Sequence, residues 1–280
     1  MAQTIQWYPG HMAKARREAK EKLSLVDVVI ELVDARIPIS SRNPVIQEII
    51  ANKPSLIVLN KADMAETQQT NAWLEHFRQE GMIALAIDAQ HNRGLNQLQK
   101  ALKLLMQGKF DENLKKGIKP RSIRLMILGI PNVGKSTLIN RFVGKNQAIT
   151  GNKPGVTKAQ RWLKINNEFD LLDTPGILWP KFEDPETGIK LGLTGAIKDD
   201  LLYFDDLALY FIQFLIDYKP EVLSDKYSIS LEQIETLTLV ELLEHMTKRL
   251  GFKDDYDQAS RRIVQDLRSL KLGPISLDRL

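Results

Sequence analysis

Cysteine is absent from all 280 residues, which excludes disulfides and every thiolate metal site. Histidine is scarce. The four residues His11, His76, His91 and His245 lie too far apart to suggest a helical pair of metal ligands. Long apolar runs are missing too. The longest, "LALYFIQFLI" from Leu207, is too short and too closely flanked by acids to span a bilayer. The start, "MAQTIQWYPGHMAKARR", has no apolar centre of the kind a signal peptide carries. No internal repeat is present. These absences lead to the expectation of a soluble cytoplasmic protein without a membrane partner. Neither charge dominates: a net charge of +4 allows an anionic partner without requiring one. With 43% hydrophobic and 26% charged residues, the chain has the balance of a folded protein rather than a disordered one.

The length supports two modest cores, and the chain falls into two unlike parts. From Val26 to Asp173, β-branched apolar runs such as "VDVVIELVDA", "SLIVLNKAD", "MIALAIDA" and "SIRLMILG" alternate with amphipathic segments such as "NPVIQEIIANK" and "LNQLQKALKLLMQG". That alternation predicts an α/β fold with a doubly wound, mostly parallel sheet. The runs "RWLKINN" and "FDLLDTPG" meet at Asn166 and Asn167 and read as a hairpin, which makes the sheet mixed. The polar, basic stretch "GKFDENLKKGIKPR", Gly108 to Arg121, reads as a long surface connection. After Pro180 the apolar spacing shifts to three or four, as in "LEQIETLTLVELLEHMTKRLG", and predicts an all-α module. The expected domains are residues 1–180 and 181–280.

The stretch "GIPNVGKS", Gly129 to Ser136, fits G-x-x-x-x-G-K-[ST] between a strand-like and a helix-like segment. Backbone N–H groups through Asn132, Val133, Gly134 and on to Thr137 would wrap a phosphate. Lys135 would bridge β and γ oxygens, and the Ser136 hydroxyl would hold Mg²⁺. In "NKAD", Asp63 can accept two hydrogen bonds from the guanine N1–H and exocyclic amine, a pairing adenine lacks. The Lys61 stem can lie along the base plane and Asn60 can brace the loop. In "DAQHNRG", which begins with Asp88 where serine is usual, the Ala89 N–H is the expected donor to the guanine oxygen. In "DTPG", Asp173 would reach Mg²⁺ through water and the Gly176 N–H would meet the γ-phosphate. Thr157, in the Gly-rich "ITGNKPGVTKAQRW", is the candidate to complete Mg²⁺ coordination when GTP is bound.

The order of the motifs is unusual, because NKAD precedes the P-loop. Moving the chain ends while keeping the sheet requires a join between the old termini, and the 108–121 stretch is where it would fall. With "WYPGHMAKARR", "NKAD", "GIPNVGKS", "PGVTK" and "DTPG" in this order, the chain resembles the circularly permuted ribosome biogenesis GTPases of the A type, bacterial large-subunit assembly factors. The resemblance covers nearly the whole chain. It implies GTP hydrolysis stimulated by the large (50S) ribosomal subunit late in its maturation, with the helical module contacting ribosomal RNA and ribosomal proteins as further partners. A different reading is a GTP-dependent interaction switch for a protein or membrane partner.

Glutamine is missing where many GTPases use it to orient the attacking water: Ile177 follows "DTPG". His11 is the candidate replacement, since an imidazole can hold a water through one nitrogen and has its proton affinity near working pH. The resemblance also maps a functional histidine onto this position. The other three histidines read as surface residues. Asn132 can help coordinate K⁺, as in related GTPases with "PNVGKS", and so offset charge in the transition state. Candidate RNA contacts are Lys14, Arg16, Arg17, Lys20 and Lys22 near the start, with Trp7 and Tyr8 to stack on a base. Further on lie Lys109, Lys115, Lys116, Lys119 and Arg121, and in the helical part Lys248, Arg249, Arg261 and Arg262.

Overall fold

A computed structural model describes residues 10–50, 53–119, 121–143, 161–165, 167–173 and 184–280, with the backbone alone at 10–13, 15, 161 and 173. Among them, one compact unit lies within Trp7–Lys181 and takes in Asp278–Leu280, and a second lies within Phe182–Leu277. No helix among the described residues is long and apolar enough to cross a membrane.

The first unit runs α1 (Gly10–Lys22), β1 (Val28–Asp34), α2 (Pro44–Ile50), β2 (Ser55–Asn60), α3 (Thr67–Gln79), β3 (Ala84–Ala86), α4 (Leu95–Lys115), β4 (Ile123–Gly129), α5 (Lys135–Val143), β5 (Arg161–Lys164) and β6 (Phe169–Asp173). The six strands lie in the order β3-β2-β1-β4-β6-β5. All pairs are parallel except β5 with β6, the expected hairpin, so the sheet is mixed. The chain winds outward from β1 to β3, then returns across the sheet to β4 beside β1. The sequence order thus reverses between β1 and β4, and ligands of doubly wound sheets bind beyond the strand ends at such a switch point. The expected doubly wound, mostly parallel sheet is therefore present.

A central strand of a parallel sheet is covered on both faces, which explains why β1 is buried along its whole length. On one face Val29, Met126, Leu128 and Leu172 pack with Ala19 of α1 and Ile46, Ile49 and Ile50 of α2. Farther along that face Val33, Ile57 and Leu59 pack with Trp73, Leu74 and Phe77 of α3. Glu31 also points to this face, and its buried carboxylate takes both Arg42 donors at 3.2 and 3.1 Å. The alternate residues Val28, Ile30, Leu32, Leu125 and Ile127 are buried as well, as are Leu98, Leu102 and Met106 of α4 and Leu138 and Ile139 of α5.

The expected loop from Gly108 to Arg121 is largely helix, for α4 continues to Lys115. Its buried stripe ends at Met106, so hydrophobic periodicity gives no sign of the last turns. They contain no proline, and a Cβ at Gly108 would face open space, so that glycine costs only about 1 kcal/mol of helix propensity. Between the end of α4 at Lys115 and the start of β4 at Ile123 only residues 116–122 remain. Lys109 and Arg121, offered above as RNA contacts, also hold the Asp27 carboxylate, at 3.0 Å and at 2.7 and 2.9 Å.

The second unit contains α6 (Pro185–Leu193), α7 (Phe204–Tyr218), α8 (Pro220–Tyr227), α9 (Leu231–Thr236), α10 (Leu239–Arg249) and α11 (Tyr256–Arg268). Phe211, Ile212 and Leu215 of α7 are buried at its centre, and α7 touches α6, α8, α10 and α11. The run "LEQIETLTLVELLEHMTKRLG" is two helices rather than one. Ser230 and Thr238 each close a capping box with the residue three positions on, and the second box starts α10 where the first helix has just ended. Among the basic candidates here, Arg261 and Arg262 are paired with Asp257 and Asp266 along their own helix.

A candidate guanine nucleotide site

The carboxyl ends of β4, β2 and β3 carry the three loops expected to meet a nucleotide, and one side chain ties them together. Asn60, at the end of β2, donates its amide to the Val133 carbonyl in the P-loop at 2.8 Å. Its Oδ1 accepts the Ala89 N–H at 3.1 Å. Both bonds are buried, so loss of either would leave a backbone group unsatisfied. A third tie runs from Arg141 of α5 to the Gln90 carbonyl at 2.7 Å.

The P-loop backbone needs the residues it has. Gly134 lies at φ +100° and a Cβ there would collide with the Asn60 amide. Asn132 occupies the left-handed region at φ 56°, which asparagine tolerates better than most. Lys135 opens α5, and its buried ammonium donates to the carbonyls of Gly129 and Ile130 at 3.1 and 2.8 Å. Ser136 and Thr137 follow in the first turn of the helix, where free N–H groups and the helix dipole favour an anion.

Lys61 is held in a left-handed conformation, φ 61° and ψ 37°, a strained state for a lysine and of the kind found at ligand sites. Its ammonium reaches Asp34 at 2.9 Å. Asp34 ends β1 and also takes two donors from Arg36, at 2.9 and 2.8 Å. Burial would raise the Asp34 carboxyl, but Arg36 and Lys61 outweigh it and hold the group well below its ordinary range. The sequence reading missed this trio. An aspartate at the carboxyl end of the strand beside the switch point was the available signal.

Asp88 is buried and turned into its own loop. It accepts the His91 N–H at 2.9 Å and meets His91 Nδ1 at 2.7 Å, while its backbone pairs with that of Arg93. That explains an acid in place of serine: the carboxylate closes the turn. His91 is exposed, as expected, and its Nδ1 also lies 3.8 Å from Asp63. Burial and the nearby Asp88 raise the Asp63 carboxyl from its ordinary value, against the pull of His91. The Ala89 N–H, assigned above to the guanine oxygen, is engaged by Asn60, so the loop's own bracing takes that bond.

His11 lies in the first turn of α1, but its side chain is outside the described residues, as are Thr157, Gly176 and Ile177. Asp173 ends β6, whose register with β4 brings it to the same carboxyl edge as Gly129. The Asp173 side chain is outside the described residues; Ser136 carries an oxygen donor of the kind that suits Mg²⁺.

Residues 124–246 match the family profile described as 50S ribosome-binding GTPase, and residues 42–183 match that of the RsgA GTPase. The ribosome biogenesis GTPase A of Bacillus cereus is 51% identical, covering 98% of this chain and 93% of its own. That of Priestia megaterium is 52% identical, covering 98% and 96%. Among solved structures, GNP-bound YlqF from T. maritima aligns with a TM-score of 0.63 at 25% identity, covering 95% of this chain and 98% of that one. Permuted sheet, loops joined by Asn60 at the strand ends and full-length relatives agree: the chain belongs to the ribosome biogenesis GTPase A family and is a P-loop GTP hydrolase that acts in ribosome assembly.

Proposed function

We propose that this GTPase works late in assembly of the large ribosomal subunit, that the subunit stimulates its turnover, and that residues 181–280 contact ribosomal RNA. The observation that carries the reading is the Asn60 bridge, which ties the NKAD loop to the P-loop and to the loop after β3 in a chain of this family. The 50S-binding description of a matching family supports the choice of subunit.

In this reading Asp63 accepts from the guanine N1–H and amine while the Lys61 stem lies along the base, and the loop from Asp88 supplies the remaining base contact. The amides of Val133 to Thr137 hold the phosphates, and Lys135 turns to the β and γ oxygens. Ser136, Thr157 and Asp173, the last through water, are the residues that would hold Mg²⁺. When bound, the ion would offset the negative charge of the phosphates. The Gly176 N–H meets the γ-phosphate and His11 orients the water. Asn132 would help to hold K⁺, which would offset charge developing in the transition state.

The test is GTP turnover measured alone and with immature large, mature large and small subunits. Turnover should be slow alone and rise by more than about tenfold only with large subunits, because a trans-acting surface completes the site. Equal rates in all four samples would overturn the proposal. In the same assay, Na⁺ in place of K⁺ at constant ionic strength should slow turnover; an unchanged rate removes the cation from Asn132.

A further inference from the structure

We infer that Asp278 to Leu280 form part of the guanine-reading apparatus, with Asp278 a positioning residue that acts through the loop after β1. The inference rests on the assignment of Asn60 to Asp63 to guanine. These three residues belong to the compact unit that carries the nucleotide loops. The Asp278 carboxylate is almost fully buried and saturated by donors of that loop: Oδ2 takes the Ile39 and Ser40 amides at 2.9 and 2.7 Å, and Oδ1 takes the Ser40 hydroxyl at 2.7 Å. Its own N–H donates to the Arg36 carbonyl at 3.3 Å. Arg36 clamps Asp34, and Asp34 clamps Lys61. The Asp34 N–H in turn donates to Ser41 Oγ, and the Ser41 hydroxyl donates to the Ile37 carbonyl. A continuous set of hydrogen bonds thus leads from Asp278 to the lysine of NKAD.

The same three residues grip the other flank of NKAD. The Asp278 carbonyl accepts from the Trp73 indole at 3.2 Å, Arg279 pairs with Glu66 at 2.7 Å, and the Leu280 N–H reaches Gln69 at 3.3 Å. Glu66 is the N-cap residue of α3 and Gln69 and Trp73 lie in its first two turns, just after Asp63. The guanine loop is therefore bounded on one side by residues 36–40 and on the other by α3, with Asp278 to Leu280 joining the two. An ordinary surface loop has no need of a buried carboxylate with three donors. A loop that must hold a strained lysine and an aspartate in register with one base does.

The test compares binding of N-methylanthraniloyl-GDP and the corresponding IDP, which lacks the exocyclic amine, to the full chain and to Asp278→Ala. Affinity for GDP should fall about tenfold, the scale of losing hydrogen bonds to a charged group, and the preference for GDP over IDP should shrink severalfold. Asp278→Asn, which keeps an acceptor for the Ile39 and Ser40 amides, should recover part of both. The loss should fall on KM for GTP more than on kcat, because the bonds removed brace the base side of the site. A lowered melting temperature with the GDP preference of the wild type would overturn the inference, since that is what a purely structural role produces. If Asp278→Ala does not fold, Ser40→Ala and Arg279→Gln report on the same bonds with smaller losses. Asp63→Asn is the control for the underlying assignment. If it leaves the GDP preference intact, the guanine reading fails; if it abolishes the preference while Asp278→Ala does not change it, only the present inference fails.

Discussion

The single amide of Asn60 joins three loops. As the last residue of β2 it was expected to brace its own loop, yet both ends of its amide reach across to other loops. NKAD and GIPNVGKS are legible because short-range backbone demands fix their spacing. Asp34, Arg36 and His91 were not, because their contacts depend on how short turns fold back at the strand ends, which no fixed motif spacing marks. Asp88 shows the difference: the departure from serine was visible, but its cause, a carboxylate closing the turn onto His91, needed coordinates. The base assignment makes a sharp prediction for Asp63→Asn. An asparagine can donate to the oxygen that xanthine carries where guanine carries its amine. Affinity for GDP should fall by about a hundredfold while that for XDP rises, on the scale set by unmatched buried hydrogen bonds. Competition binding with the two diphosphates measures this, and unchanged selectivity would count against Asp63.

At the level of elements, the strands and the hairpin could be read from composition, whereas the end of α4 could not. Its last turns are held by charge and not by an apolar stripe. Asp27, buried ahead of β1, gathers Lys109 from α4, Arg121 from the join and the Arg124 amide of β4. Burial alone would raise its carboxyl, but these donors, Arg121 foremost, bring it from 3.8 down to about 2. A depressed carboxyl contributes stability that is fully present above its unfolded value and is lost as pH falls toward its folded value. For Asp27 the window runs from about pH 4 down to about pH 2. Asp27→Asn should cost about 1–2 kcal/mol at pH 7 and flatten the loss of stability across that window, as urea unfolding at pH 7, 4 and 3 would record. A variant with the same acid profile as the wild type would show that the join is held by something else.

For the molecule as a whole, the permuted order carries a functional meaning. The strand that ends in Asp173 leads on toward the helical part, so the proposed γ-phosphate contacts lie next in sequence to the proposed RNA-binding residues. The water-orienting residue is expected from the opposite end of the chain. His11→Ala should leave GDP affinity within about twofold and lower turnover with large subunits by about a hundredfold or more, the contribution of a positioned acid–base group. Turnover with and without subunits is the measurement; an undiminished stimulated rate would exclude His11.

The Asn60 bridge also has a consequence for how the protein is made. Synthesis delivers the guanine loop first, but the Val133 carbonyl that Asn60 holds arrives 73 residues later, and the carboxylate that holds Ser40 arrives 238 residues later. Until then the amides of Ile39 and Ser40 must be satisfied by water, and β1 lacks β4, its neighbour on one side. A nascent chain therefore presents β1, β2 and β3 as an incomplete sheet with an open edge, and nucleotide affinity should emerge late, in one step, as the distant partners come within reach.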